Sequence, residues 1–169
     1  MSKFVLAAIV TVAACTHASA PAERVSSAPT RVEARSTSAG EEIVARTNAE
    51  RQKLGLPALA RNAALMRAAQ LQANQMAALN KMEHDLPGAT YPSPDDRLDA
   101  VGYRMSASGE NVAEGYPSPK AVVAGWMTSP GHRENIVSTR FTEMGAAVAT
   151  ARNGRTFYAQ VFGRPRFGS

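Results

Sequence analysis

Cysteine is almost missing from this sequence: one thiol, Cys15, in 169 residues. A lone thiol closes no intramolecular disulfide, which excludes a stapled mini-fold and any zinc site built from several thiolates. Aromatic residues are also scarce, at 6% with a single Trp, so few rings are available to stack bases or sugars. Long apolar runs are absent except at the extreme N-terminus, and that one is too short to span a bilayer.

What remains is the composition of a globular chain, 44% hydrophobic and 20% charged, long enough for one domain with its own core. The formal charge of +5 is unevenly placed: residues 1–39 carry +2, residues 40–149 carry −1, and residues 150–169 carry +4. A nucleic-acid groove gathers its cations on the folded body. Here the body is near neutral, so nucleic acid is not an expected partner.

The first residues read as an export signal. Lys3 supplies the positive start, Phe4 to Val12 the apolar stretch, and small residues follow. Two cleavage sites compete. Ala18-Ser19-Ala20 has the A-x-A form but is followed by Pro21, whereas Val12-Ala13-Ala14-Cys15 resembles a bacterial lipobox, which assigns residues 1–14 to a lipoprotein-type signal and Cys15 to lipidation. Either cut places the mature protein outside the cytoplasm, as a membrane-anchored lipoprotein or a secreted protein. Residues 15–39 are Ala, Ser, Thr, Pro and Arg with almost no large apolar side chain, a composition that predicts a disordered tether.

The domain is expected over residues 40–163, followed by a basic tail, 164–169. Glu41 and Glu42 form the acidic opening turn of a first helix, with Ile43, Thr47 and Leu54 on one stripe and Gly55 as its stop. A second helix starts at Asn62 and carries Leu65, Ala69, Ala73, Met76 and Leu79. A third runs from Ser118-Pro119 through Val122, Val123, Trp126 and Met127, and Ser129-Pro130-Gly131 ends it. Ser93-Pro94-Asp95-Asp96 has the form of a further helix start, which accounts for that acidic cluster without a calcium ion. Strands are expected near Tyr103 to Glu114, over Met144 to Val148 and over Phe157 to Phe162, the last two joined by a two-residue Asn153-Gly154 turn. This order predicts an α+β domain with helices on an antiparallel sheet.

Two histidines belong to this body, His84 and His132, while His17 falls in the tether. Alone, each reads as a histidine near a helix end. Their company is denser: Gly109-Glu110-Asn111 and Gly131-His132-Arg133-Glu134-Asn135 place acids, amides, a guanidinium and an imidazole in short runs. Arg97 reads as a structural ion-pair partner and Trp126 as a core residue.

Asn48 to Leu59, His84, Arg97 with Gly102-Tyr103, Gly109 to Gly115, Trp126 to Ile136, Phe141 to Gly145 and Gln160 to Gly163 follow one another in order. Together they resemble a bacterial SCP-like extracellular domain of the CAP superfamily, which includes cysteine-rich secretory proteins, antigen 5 and pathogenesis-related 1 proteins. The resemblance implies an α-β-α sandwich with a central antiparallel sheet and a cleft carrying two histidines and two acids. By position, His84 and His132 are the histidines and Glu110 the first acid, while Ser129 stands where the second acid is expected.

His84, Glu110 and His132 are thus candidate ligands of a divalent metal such as zinc, with an open position for water. Ser129, His132 and Glu110 are alternatively candidates for a nucleophile, base and orienting acid. The expected function is a cell-envelope binding module for a metal ion or a small hydrophobic or envelope-derived ligand, with membrane contact through the lipid anchor only. A metal-dependent or serine-type hydrolase in the same cleft is the alternative.

Overall fold

Three of the five described helices begin on a Ser-Pro pair. A computed structural model of the protein describes residues 31–166, with side chains from Ser38 onward. The export signal, Cys15, His17 and residues 167–169 lie outside the described residues. Ser93 caps α3 (Pro94–Ala100), Ser118 caps α4 (Pro119–Thr128), and Ser129 precedes α5 (Pro130–Val137). Proline at the first helical position loses no useful N–H, and its fixed φ suits the helix. Ser93 and Asp96 exchange bonds in a capping box, so this acidic cluster serves the helix start as expected. Helix α5 was not expected. Ser129-Pro130-Gly131 does end α4, but the same pair starts a new helix, and His132 stands in its first turn.

The sheet has four strands in the order β1-β3-β4-β2: β1 (Ala60–Arg61), β2 (Met105–Glu114), β3 (Glu143–Thr150) and β4 (Thr156–Pro165). β4 pairs antiparallel with both β2 and β3. The two residues of β1 run parallel to β3, a departure from the all-antiparallel expectation. This edge is made as the chain approaches Asn62, whose N–H donates to the Met144 carbonyl at 3.0 Å. The loop of the β3–β4 hairpin is longer than expected. Gly154 N–H donates to Ala151 and Ala151 N–H to Arg155, giving a three-residue loop with Gly154 at φ 85, the left-handed position that glycine fills without strain.

α1 (Arg31–Lys53) starts well before Glu41, so residues 31–39, placed in the tether by composition, are helical. Gly40 is a close approach and no boundary: a Cβ there would overlap the Ala146 carbonyl of β3. The helix ends as expected at Gly55, φ 70, with Gly55 N–H on Gln52 and Leu56 N–H on Arg51, a Schellman arrangement. Its buried stripe is corrected, however. Ile43, Thr47 and Arg51 are buried, and Leu54 is 46% exposed.

α2 (Ala63–Leu79) is capped by Asn62, which accepts from the Ala64 and Leu65 N–H groups. Leu65, Ala69, Ala73 and Met76 are buried, while Leu79 at the last turn is not. Its first turn lies directly on β3, because a Cβ on Gly145 would overlap the backbone of Leu65 and Met66.

Alternation along the strands assigns the two cores. Met144, Ala146 and Val148 pack with Ile43, Val122, Trp126 and Ile136 beneath α1, α4 and α5. Ala147, Phe157, Ala159 and Val161 pack with Leu65, Ala69, Met76 and Leu98 beneath α2 and α3. The result is the expected α-β-α sandwich, held by apolar burial on both sheet faces.

Candidate functional site

Glu110 sits in the middle of β2, opposite Val161 of β4, and its side chain is 6% exposed. A carboxylate so placed needs partners, and two reach it. His84, in the loop after α2, has Nδ1 at 2.9 Å from Glu110 Oε1. Arg97 of α3 donates from Nη2 to Oε2 at 3.1 Å and to Oε1 at 3.3 Å.

The loop bearing His84 is held by its backbone. Arg97 Nη2 donates to the His84 carbonyl at 2.9 Å, and the buried Gln72 of α2 donates to the Glu83 carbonyl at 2.7 Å. Arg97 Nη1 reaches the Tyr91 and Pro92 carbonyls. One guanidinium therefore ties the carboxylate, the histidine loop and the α3 approach together. The ion-pair role read for Arg97 is what it performs, but its partner is the candidate acid itself. The bond from Glu110 raises the His84 pKa above its ordinary value, against the opposing effect of partial burial.

His132 comes from the other helical layer. Its ring lies 6.5 Å from that of Trp126, tilted by 54°. Burial lowers its pKa, and the His84 charge lowers it further.

The polar density around Gly109-Glu110-Asn111 and in α5 has a structural use. Asn135 Nδ2 donates to the Glu110 carbonyl at 3.1 Å and to Asn111 Oδ1 at 2.9 Å. Asn111 Nδ2 in turn donates to the His132 carbonyl at 3.1 Å and to Gln160 Oε1 at 3.2 Å. Gly109 leaves room for this arrangement, since a Cβ there would crowd Asn135 and Phe141. The C-terminal end of α5 is fixed by Arg51, fully buried, whose Nη1 donates to the Ile136 and Ser138 carbonyls at 2.8 Å. A cation at that helix end also meets the negative pole of the dipole. Sequence reading missed Arg51 and the amide bridge. The paired amides in the two motifs were the available signal.

A cavity of about 430 Å³ opens beside His84, Arg97 and Glu110, with Ser93, Asp95 and Ser108 on its wall and Leu98 and Val161 among its apolar lining. His132 is not among its lining residues.

The metal set expected from sequence can be tested against this geometry. Both oxygens of Glu110 are engaged by Arg97, and one also by His84. Among the described residues, no three His, Cys, Asp or Glu side chains are grouped as ligands of one ion. Of the three residues, His84 and His132 keep imidazole nitrogens outside these contacts, while Glu110 holds the His84 ring as an orienting carboxylate. For the serine arrangement, no hydrogen bond joins Ser129 to His132 among the described residues, and the Glu110 carboxylate faces His84 and Arg97.

The profile of the CAP, or cysteine-rich secretory protein, family matches residues 44–162, which takes in both helical layers, the sheet and the three candidate residues. The chain belongs to the cysteine-rich secretory protein family. This family domain is 38% identical over 122 residues, 72% of the chain, to the uncharacterized protein YkwD of Bacillus subtilis, of which it covers 46%. It is 30% identical over 126 residues, 75% of the chain, to the uncharacterized membrane protein YlbC of the same organism, covering 34% of it. Among solved structures, an extracellular protein containing an SCP domain from Bacillus anthracis superposes with a TM-score of 0.72 at 29% identity, over 82% of this chain and 45% of that one. An outer surface protein from Borrelia burgdorferi shares the fold, with a TM-score of 0.67 at 21% identity over 75% of this chain and 92% of that one. The chain thus spans less than half the length of the curated relatives it matches. Among the described residues no helix is long and apolar enough to cross a membrane.

Proposed function

We propose that this family domain is an exported binding module of the cell envelope, held there through Cys15, that takes a small ligand or a divalent cation at the His84 and Glu110 cleft. The observation that carries this reading is the 2.9 Å approach of His84 Nδ1 to a Glu110 carboxylate anchored by Arg97. It fixes the ring on the cavity wall and leaves Nε2 available to a ligand. For a metal ion, His84 and His132 are the residues that would hold it. A bound zinc would supply Lewis acidity. Glu110 would orient His84, and Arg97 would hold Glu110 in place.

Binding is favoured over hydrolysis because, among the described residues, no nucleophile is hydrogen-bonded to a histidine, and the acid that would orient His132 is committed to His84. Export is supported by the signal and lipobox pattern and by the extracellular description of the Bacillus anthracis neighbour.

Calorimetric titration of zinc into the purified full chain tests the metal reading. Wild type should bind, and both His84→Ala and His132→Ala should lose binding. Unchanged affinity in both variants would remove the site. Hydrolysis of envelope or peptide substrates that disappears in both variants would replace the binding reading with the enzymatic one. Radiolabelled lipid incorporation that is equal in wild type and Cys15→Ala would remove the anchor.

A further inference from the structure

The basic excess of the C-terminal segment has a place in the fold that the cleft does not use. Arg104 immediately precedes β2, Arg140 lies just before β3, and Arg164 and Arg166 lie at and just past the end of β4, so the register brings all four to one end of the sheet. Arg166 N–H donates to the Arg104 carbonyl at 3.0 Å. Arg164 donates from Nε to the Arg140 carbonyl at 2.6 Å and from Nη2 to the Thr139 carbonyl at 2.9 Å. All four are exposed, and none is in an ion pair among the described residues.

The carboxylates closest along the fold do not neutralise them. Glu143 at the start of β3 accepts from the neutral Asn62 and Tyr103 and is in no ion pair among the described residues, so with Asp99 of α3 it sets two acids against four cations. Like charges gathered without partners raise the local potential and favour an anion. Guanidinium groups suit phosphate in particular, because their donors form a planar fork.

We infer that this end of the sheet binds a linear polymer bearing phosphate groups. Bases are not required for recognition: Trp126, Phe141, Phe157, Tyr158 and Phe162 are all buried, which leaves no stacking platform among them. An anionic bilayer surface is the competing source of phosphate, and the test below separates the two. α1 packs at Gly40 against Ala146 in mid-β3 and at Arg51 against Ile136 and Ser138, so it runs opposite to β3 and its N-terminal end points away from the arginines.

The test uses inorganic polyphosphate and the full chain. Arg104→Gln/Arg166→Gln removes two charges from the patch and leaves the backbone bond between them intact. Lys120→Gln/Arg152→Gln removes two charges at the opposite end of the sheet. Fluorescence anisotropy with labelled polyphosphate should show affinity falling on the order of tenfold in the patch variant and less than about twofold in the control. The slope of log affinity against log salt should become shallower by about 0.7 for each phosphate that the deleted guanidinium groups neutralise in wild type. Equal reductions in the two variants would assign the effect to net charge and overturn the inference. So would absence of polyphosphate binding, or binding only to vesicles of anionic lipid. Zinc titration of the patch variant should match wild type, which separates failure here from failure of the cleft reading.

Discussion

The Arg97 guanidinium and the Glu110 carboxylate meet at 3.1 Å with side chains only 1% and 6% exposed, so each is the main counter-charge of the other in a nearly dry position. Breaking such a pair from one side costs far more than the pair contributes, because a buried charge is left behind. Arg97→Met should therefore lose about 3–5 kcal/mol of stability at pH 7 in urea unfolding. Arg97→Met/Glu110→Leu should recover much of that loss. A single variant within about 1 kcal/mol of wild type would show that the pair is not a structural tie.

His84 should titrate above its ordinary value of 6.5, and His132 below it, in a proton–carbon NMR titration. Because the folded-state value of His84 is raised, its contribution to stability is complete below 6.5 and fades as pH rises through its own higher value. The sign for His132 is opposite: its burial penalty develops as pH falls through 6.5, where the unfolded chain takes up the proton more readily. Glu110→Gln should bring His84 down. An unshifted His84 in that variant would mean the Glu110 bond is not what raises it.

If zinc is held by the imidazoles, its affinity should weaken as the histidines protonate. Titrations at pH 7.5 and pH 5, about one to two units either side of the histidine range, should differ by more than about tenfold. Equal affinities would place the ion on other donors.

Gly145 and Gly131 offer a paired test of packing. A Cβ at Gly145 overlaps the Leu65 and Met66 backbone, whereas one at Gly131 in α5 meets nothing within 4 Å. Gly145→Ala should destabilise by about 3 kcal/mol. Gly131→Ala should stabilise by about 0.5 kcal/mol through the unfolded state. Thermal unfolding distinguishes the two signs.

Arg51→Met should cost about 3 kcal/mol, since the Pro57, Ile136 and Ser138 carbonyls lose their donor. Arg51→Lys should restore only part of this, because an ammonium cannot reproduce the fork. Full rescue by lysine would assign the effect to charge at the α5 terminus alone.

Local chemistry in the sequence determined a good deal: Ser93, Ser118 and Asn62 as helix starts, Gly55 as a stop, the β3–β4 hairpin and the side of α2 that is buried. Each rests on interactions within a few residues, where capping and periodicity act. Composition misled at residues 31–39 and periodicity at Leu54, since helix extent and the buried stripe of α1 depend on what packs against it. Tertiary structure alone decided that Arg97 stands behind Glu110, that Glu110 faces His84, and that Asn111 and Asn135 clamp α5 to β2. Those pairings join residues far apart in the chain, and no local preference specifies which side chain a buried charge will meet once the two helical layers close on the sheet.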